Sequence, residues 1–542
     1  MTLDSTAGSP SSAASGASVP TAASVALPRR STGQLVAISI FWFALNFHWA
    51  ALPIFIIPAQ VFGLLLREAP GATLAERAAF VSDPRIALAQ TLVQAPGLIV
   101  ALLGNPYFGL LSDRTRGRLG RRRPYILGGT ALNVVGLLLM ALLPDLFVRP
   151  GSNSIFTPSL LILMVALMVV QFANNAAAAP FHALLPDMVP AEQRGIASGI
   201  MGLAFWVGSI TGALVPTLTG INSNALREGT QSYSDYQHGI VLSYGITAAV
   251  IVVMAALTLF FVRETPWQPS LMTAARRSEE ARTARTLVLT ILAVLGVVGA
   301  SFLLFSANLG LSLDDTSLRV LELVALAIAG YGAARAFQFR PRANPDFSWV
   351  VATRMAVMMG VYIVQVFLFQ YMLNVAKAPN PQEAQTFFII LLTLAATAST
   401  LFAGWASDRV GRKRMVYISG TFMAIVGAAF ILTPYIAPSH ILEISYIGAA
   451  IFGLGYGAYI SVDWALVADV LPSEATFARD MGVWNIALTL PQVLAFVFGS
   501  VLIALGAGLG HPILGYTFLF VSFVLFCALG TVTVRYIRGV KQ

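Results

Sequence analysis

Apolar runs of helix-spanning length recur from one end of this chain to the other, and that recurrence leaves few folds open. A bilayer core about 30 Å thick is crossed by roughly 20 apolar residues in an α-helix. The runs lie at about 35–65, 86–111, 123–144, 157–185, 195–220 and 239–262, and then at about 350–373, 385–407, 414–435, 441–470, 481–507 and 512–536. Two more candidates, about 287–308 and 318–337, stand between the two sets of six. Of the 542 residues, 57% are hydrophobic and only 11% charged, where soluble domains carry about 25% charged residues. A soluble fold has no interior large enough for so much apolar surface, so the chain reads as an all-α integral membrane protein of about 14 spans.

Charge sets the orientation. Six arginines crowd the short stretch "GLLSDRTRGRLGRRRPYILGG", Gly109–Gly129, between the second and third runs. With the amino terminus inside and the spans alternating, the inner loops hold 25 Lys and Arg and the outer loops seven. Such a bias decides topology by the positive-inside rule. Both termini are thus expected in the cytoplasm, and the inserted pair has to be even in number to keep the two sets in register. The net charge of +9 is explained by these loops. No aromatic interleaving or nucleic-acid module accompanies it, so no nucleic-acid partner is expected. The first 33 residues, rich in Ser, Ala, Pro and Thr, lack the order of a signal peptide and are expected to be a disordered tail. The domains then read as 1–33 tail, 34–264 first half, 265–345 linker with two extra spans, and 346–542 second half. Cys527 is the single cysteine and forms no internal disulfide.

The chain repeats itself. "GWASDRVGRKRMVYISG", Gly404–Gly420, copies the arginine stretch, with four fewer residues between the Asp and the Gly-Arg. "ALLPDMVPAEQ" at Ala183–Gln193 is echoed by "ALVADVLPSEA" at Ala465–Ala475. Two echoes in the same order make two related six-helix halves, an arrangement that suggests a secondary transporter with its site between them. Gly109, Asp113, Arg114, Arg121, Arg122 and Asp187 in one half, and Gly404, Asp408, Arg409, Arg412 and Asp469 in the other, are expected to form a gating motif. A carboxylate where a helix meets the cytoplasm can accept from the open amino end of a neighbour. Arginines reaching Asp187 or Glu192 in one half, and Asp469 or Glu474 in the other, would pair when that side shuts and separate when it opens.

These residues resemble the major facilitator superfamily, whose loop motif G-x-x-x-D-R-x-G-R-[RK] follows helices 2 and 8. The longer first copy, with "SDRT" and then "GRRRPY", is similar to the sugar–cation symporters, both the sucrose–proton type and the glycoside–pentoside–hexuronide group. The resemblance implies a major-facilitator fold. In the sucrose type the fourth helix resembles D-x-A-N-N-x-x-Q-G-P-x-R-A-L-L-A-D. The Asn pair, Pro180 and Asp187 match it, while Gln171 and His182 stand where the proton-coupling Asp and the sugar-binding Arg would be.

Polar groups inside a membrane helix usually face a cavity or a partner. Asn174 and Asn175 in "QFANNAAAAPFHALLPD" lie roughly 20 Å from the cytoplasmic edge, near mid-membrane, and amides suit sugar hydroxyls. Asn46, Gln94, Gln365, His182 and Trp464 complete the expected substrate set. Gln90, Asn105, Gln370, Asn485, Gln492, Trp484 and Tyr362 are further cavity candidates. His48 reads as a packed or hydrogen-bonded histidine. For coupling, Asp463 lies roughly 9 Å inside and His182 at nearly the same depth; Arg354, roughly 10 Å in, is a rival partner that would make Asp463 structural. Pro106, Pro180 and Pro491 remove helical hydrogen bonds.

The expected function is proton- or cation-coupled symport of a glycoside or small sugar by a monomer in the bacterial inner membrane. Export of amphipathic compounds is the alternative. No metal-ligand cluster, nucleotide loop or nucleophile–base pair stands out, so no enzyme activity, metal or cofactor is expected.

Overall fold

The computed structural model describes residues 28–81, 83–115, 119–152, 154–155, 157–190, 193–262, 264, scattered positions within 281–342, 344–470 and 477–538. Among these residues, twelve helices are long and apolar enough to cross a membrane. They are α1 (Thr32–Glu68), α2 (Asp83–Arg114), α3 (Arg123–Leu146), α4 (Pro158–Met188), α5 (Arg194–Leu218) and α6 (Tyr233–Phe261). The second set is α7 (Pro345–Val375), α8 (Pro381–Val410), α9 (Arg412–Ile436), α10 (Ile441–Val470), α11 (Phe477–Gly508) and α12 (Pro512–Thr533). Among the described residues the spans number twelve where about fourteen were expected; of the pair expected at about 287–308 and 318–337, the described positions, among them 288–290 and 330–332, are helical, and the rest lies outside the described residues.

The duplication is written in the packing. In the first half α1 packs on α5 and α6, α4 on α2 and α3, and α3 on α6; in the second, α7 packs on α11 and α12, α10 on α8 and α9, and α9 on α12. Each pair recurs six helices later. The halves meet where α2 packs on α11 and α5 on α8, which the same shift exchanges. Small residues let the backbones close. A Cβ on Gly212 would sit 2.4 Å from the Phe47 carbonyl oxygen, and one on Gly457 2.2 Å from that of Ala396. Lipid tails supply no hydrophobic drive between helices, so such close van der Waals contact holds the bundle together.

Two of the long helices are not regular. α1 opens into a π turn at Leu52–Ile56, and α7 does so at Tyr371–Val375. Pro53 and Pro58 account for the first, since neither ring nitrogen can donate to the turn before it. α7 has no proline at its π turn, yet the irregularity falls at the equivalent place.

Candidate functional site

The face of α4 that meets α1 can be followed residue by residue. Phe41 of α1 packs edge-on against Phe181 of α4, with ring centroids 5.3 Å apart. Seven residues outward along each antiparallel helix stand His48 and Asn174, which brings them to one level, roughly 10 Å above the phenyl pair. Both are buried, at 2% and 1% exposure. Neither ring nitrogen of His48 has a hydrogen-bond partner, and the Asn174 Oδ1 has none. A buried polar atom left alone costs about 1–3 kcal/mol, so this pair reads as a place prepared for a polar ligand. Of the packed or hydrogen-bonded histidine expected from the sequence, His48 is the packed one.

The adjoining face of α4 meets α2. A Cβ on Gly97 would lie 3.1 Å from Gln171 Cγ, and one on Gly104 3.5 Å from Asn175 Cβ. Asn175 donates its Nδ2 to the Gln171 carbonyl at 2.8 Å and is satisfied within its own helix. Gln171 Oε1 and the Nε2 of Gln94, about one turn outward on α2, are buried without partners. Asn46 donates to the Trp42 carbonyl at 2.7 Å. His182 shares the Gln171–Asn175 face, is exposed, and lies edge-on to Trp42 at 4.7 Å between ring centroids. Of the expected substrate residues, Asn174 and Gln94 therefore keep free polar groups inside the bundle, whereas Asn46 and Asn175 spend theirs locally. Gln365 is half-buried on α7, and the Trp464 side chain lies outside the described residues.

The second half carries charge at depth. Arg354 of α7 and Asp463 of α10 form an ion pair, with side chains only 4% and 2% exposed. Tyr459, one turn before Asp463, donates its hydroxyl to Oδ1 at 3.2 Å. The Arg354 guanidinium carbon lies 3.4 Å from the centroid of the Trp484 ring on α11, a desolvated cation–π contact. Three helices thus converge on one buried cation and its carboxylate, and the guanidinium Nε is left without a partner.

The ends of the helices remote from the arginine loops are joined across the two halves by hydrogen bonds. Gln370 of α7 donates to Gln90 of α2. Thr91 donates to the Phe496 carbonyl at 3.0 Å, and Thr386 to that of Ala213 at 2.9 Å. In a short helix, Ser223–Glu228, Ser223 exchanges bonds with Gln382 and Asn224 donates to the Ala378 carbonyl. Gln385 donates its Nε2 to the Ile54 carbonyl at 3.0 Å. Pro58 has no N–H for that carbonyl, so the amide of one half serves the vacancy that a proline opens in the other. Reading the sequence missed this seam; Pro58 four residues after Ile54 was the signal for it.

At the opposite ends the arginine loop is anchored from α6. Glu264, just beyond α6, accepts from the backbone N–H groups of Arg121, Arg122 and Arg123 at 2.5, 2.8 and 2.8 Å. Arg122 donates a guanidinium N–H to Ser112 at 2.5 Å. Glu264 was not among the sequence candidates, and nothing local marked it, since it lies more than 140 residues along the chain from Arg121–Arg123. A Cβ on Gly109 would meet open space. Arg409 is exposed and Arg412 half-buried, while the side chains of Asp113, Arg114, Asp187, Glu192, Asp408, Asp469 and Glu474, and the surroundings of Gly404, lie outside the described residues.

Comparison with known proteins agrees with this architecture. The family profile described as Major Facilitator Superfamily matches residues 34–375 and again 350–541. The chain is 29% identical over 127 residues to the general alpha-glucoside permease of Schizosaccharomyces pombe, 23% of each chain. It is 28% identical over 124 residues to sucrose transport protein SUC3 of Arabidopsis thaliana, 21% of each chain. The chain spans about a quarter of the length of these two curated relatives. Among solved structures, a D-xylose-proton symporter superposes with a TM-score of 0.59 at 14% identity, over 93% of this chain and 98% of that one. A peptide transporter, POT, in complex with sulfate does so with a TM-score of 0.62 at 14% identity, over 95% and 98%. At these identities the likeness is one of fold. These relatives and neighbours are transporters rather than enzymes.

Proposed function

The chain belongs to the Major Facilitator Superfamily, and we propose that it is a secondary active transporter that takes up a glycoside or small sugar with a proton or other cation. The observation that carries this reading is the His48–Asn174 level. Two facing helices bury polar atoms without partners there, with Gln94 about two turns further out, inside a bundle whose outer end is sealed. Hydroxyls that both donate and accept are the ligand chemistry such amide and imidazole groups take. The permease and sucrose-transporter relatives support the substrate class. The cargo enters between the halves, and the arrangement described is shut on the outside.

Asp463 is the coupling group on this reading. Protonated, it stops neutralising Arg354, which then has Trp484 for company and no carboxylate. A buried ion pair broken on one side is worth roughly 3–5 kcal/mol, enough to shift a two-state equilibrium from mostly one form to mostly the other. His182, exposed on the arginine-loop side and eight residues along α4 from Asn174, is the second coupling candidate on this reading. Gating by the paired Asp–Arg motifs, a bacterial inner membrane, cytoplasmic termini, the 34–264 and 346–542 halves and a monomeric state complete the proposal.

Uptake of labelled mono- and disaccharides into vesicles holding the purified protein, with and without an inward proton gradient, tests it. A sugar that accumulates with the gradient is the expected result. Asn174→Leu should raise the KM for that sugar about ten-fold. If no sugar moves and a lipophilic cation is expelled instead, the protein is an exporter of amphipathic compounds.

A further inference from the structure

At the arginine-loop end, α3 and α6 leave a groove of about 580 Å³, lined by Arg123, Ala256, Leu259, Phe260 and Phe261. One wall is apolar and bare: Phe260 and Phe261 are 77% and 59% exposed. The other wall is a guanidinium. Arg123 donates Nη2 to the Leu259 carbonyl at 2.5 Å, while its Nε is buried with no partner. The amino end of α3 is not on offer to an anion, because Glu264 already occupies its amides. An anion in the groove meets the Arg123 side chain. In sequence, the segment 113–123 that leads to it holds six arginines against one aspartate.

The groove thus asks for two things in one molecule. A free phosphate would answer the guanidinium and leave two phenyl rings bare. An acyl chain alone would cover the rings and leave Nε unpaired. Basic pockets between spanning helices at the membrane surface take lipid head groups for this reason. We propose that the groove binds an anionic phospholipid from the leaflet beside the arginine loop, with its phosphate on Arg123 and an acyl chain along Ala256 and Phe260. The inference holds whichever cargo the protein carries.

Native mass spectrometry of the full chain in detergent, mixed with phosphatidylglycerol or phosphatidylcholine, tests this. Phosphatidylglycerol should be retained in preference. Arg123→Gln should lower its retention about five-fold. Ala256→Trp fills the groove from an exposed position on α6 and leaves every charge in place; it should lower retention as well, and it decides the matter if Arg123→Gln does not fold. Equal retention of the two lipids, unchanged retention by Ala256→Trp, or displacement of phosphatidylglycerol by millimolar inorganic phosphate would each overturn the proposal.

Discussion

Leu35 and Arg354 occupy equivalent places in the two halves, each seventeen residues before the π turn of its helix. Phe181 and Asp463 are equivalent too, each six residues before the aspartate that closes its repeat. In the first half Leu35 and Phe181 belong to one buried apolar cluster. In the second the same two places hold a buried ion pair. One backbone plan thus carries a contact that no proton alters and, six helices on, a contact that a proton can break. Buried polar atoms without partners stand in both halves, those of His48, Gln94 and Asn174 in the first and Arg354 Nε, Gln370 Oε1 and Gln385 Oε1 in the second. The two halves share a frame and differ in chemistry at these two places, an apolar contact in one and an ion pair in the other.

Breaking the ion pair should give the largest effect. Asp463→Asn is expected to abolish gradient-driven accumulation, to leave sugar counterflow measurable, and to cost about 3–5 kcal/mol of stability from the stranded guanidinium. The double replacement Arg354→Leu with Asp463→Leu removes both charges, so stability should return close to the parent value, read as a melting curve. Accumulation should stay lost; its recovery in the double variant would make the pair structural and the halves alike in role. A smaller effect is expected at the join between halves. Gln385→Leu gives up one hydrogen bond, about 1 kcal/mol, and should speed outer-side labelling of a cysteine introduced by Gln94→Cys about five-fold. The smallest belongs to the apolar counterpart. Phe181→Leu should lower stability by no more than about 1.5 kcal/mol, with the accumulation ratio unchanged. A lost ratio there would erase the contrast between the halves.

The spans were legible because a lipid-crossing helix announces itself over twenty residues of composition. α6 shows where that reading runs short. It begins at Tyr233, capped by the Ser232 side chain, whereas hydropathy started it near 239. Its first turns are polar, and Tyr236 and Tyr244 turn their hydroxyls inward, to the Ala59 carbonyl at 2.8 Å and to Gln60 at 2.6 Å. The Arg354–Asp463 pair was foreseen as one of two accounts of Asp463, since depth can be counted along a helix. What depth cannot give is rotation. Asn175 looked as good a ligand as its neighbour until its amide was found bonded one turn back, and depth alone did not tell whether His48 was packed or hydrogen-bonded, where the structure packs it with both nitrogens bare. The seam between the halves was hidden for a different reason. Gln90, Thr91, Gln370 and Gln385 are scattered through the chain, and nothing local marks a residue whose partner lies nearly 300 or more positions away.

The proline at position 58 has a consequence for how the two ends of the protein communicate. The carbonyl it strands is held by an uncharged amide from the far half, and most of the ties beside it are amides and hydroxyls as well. Ionic strength and acidity leave such a fastening untouched. On the proposed cycle, a lock at this end is deaf to the coupling ion, and a proton bound at Asp463 would reach it only as a tilt of whole helices, α1 and α7 each carrying a π turn.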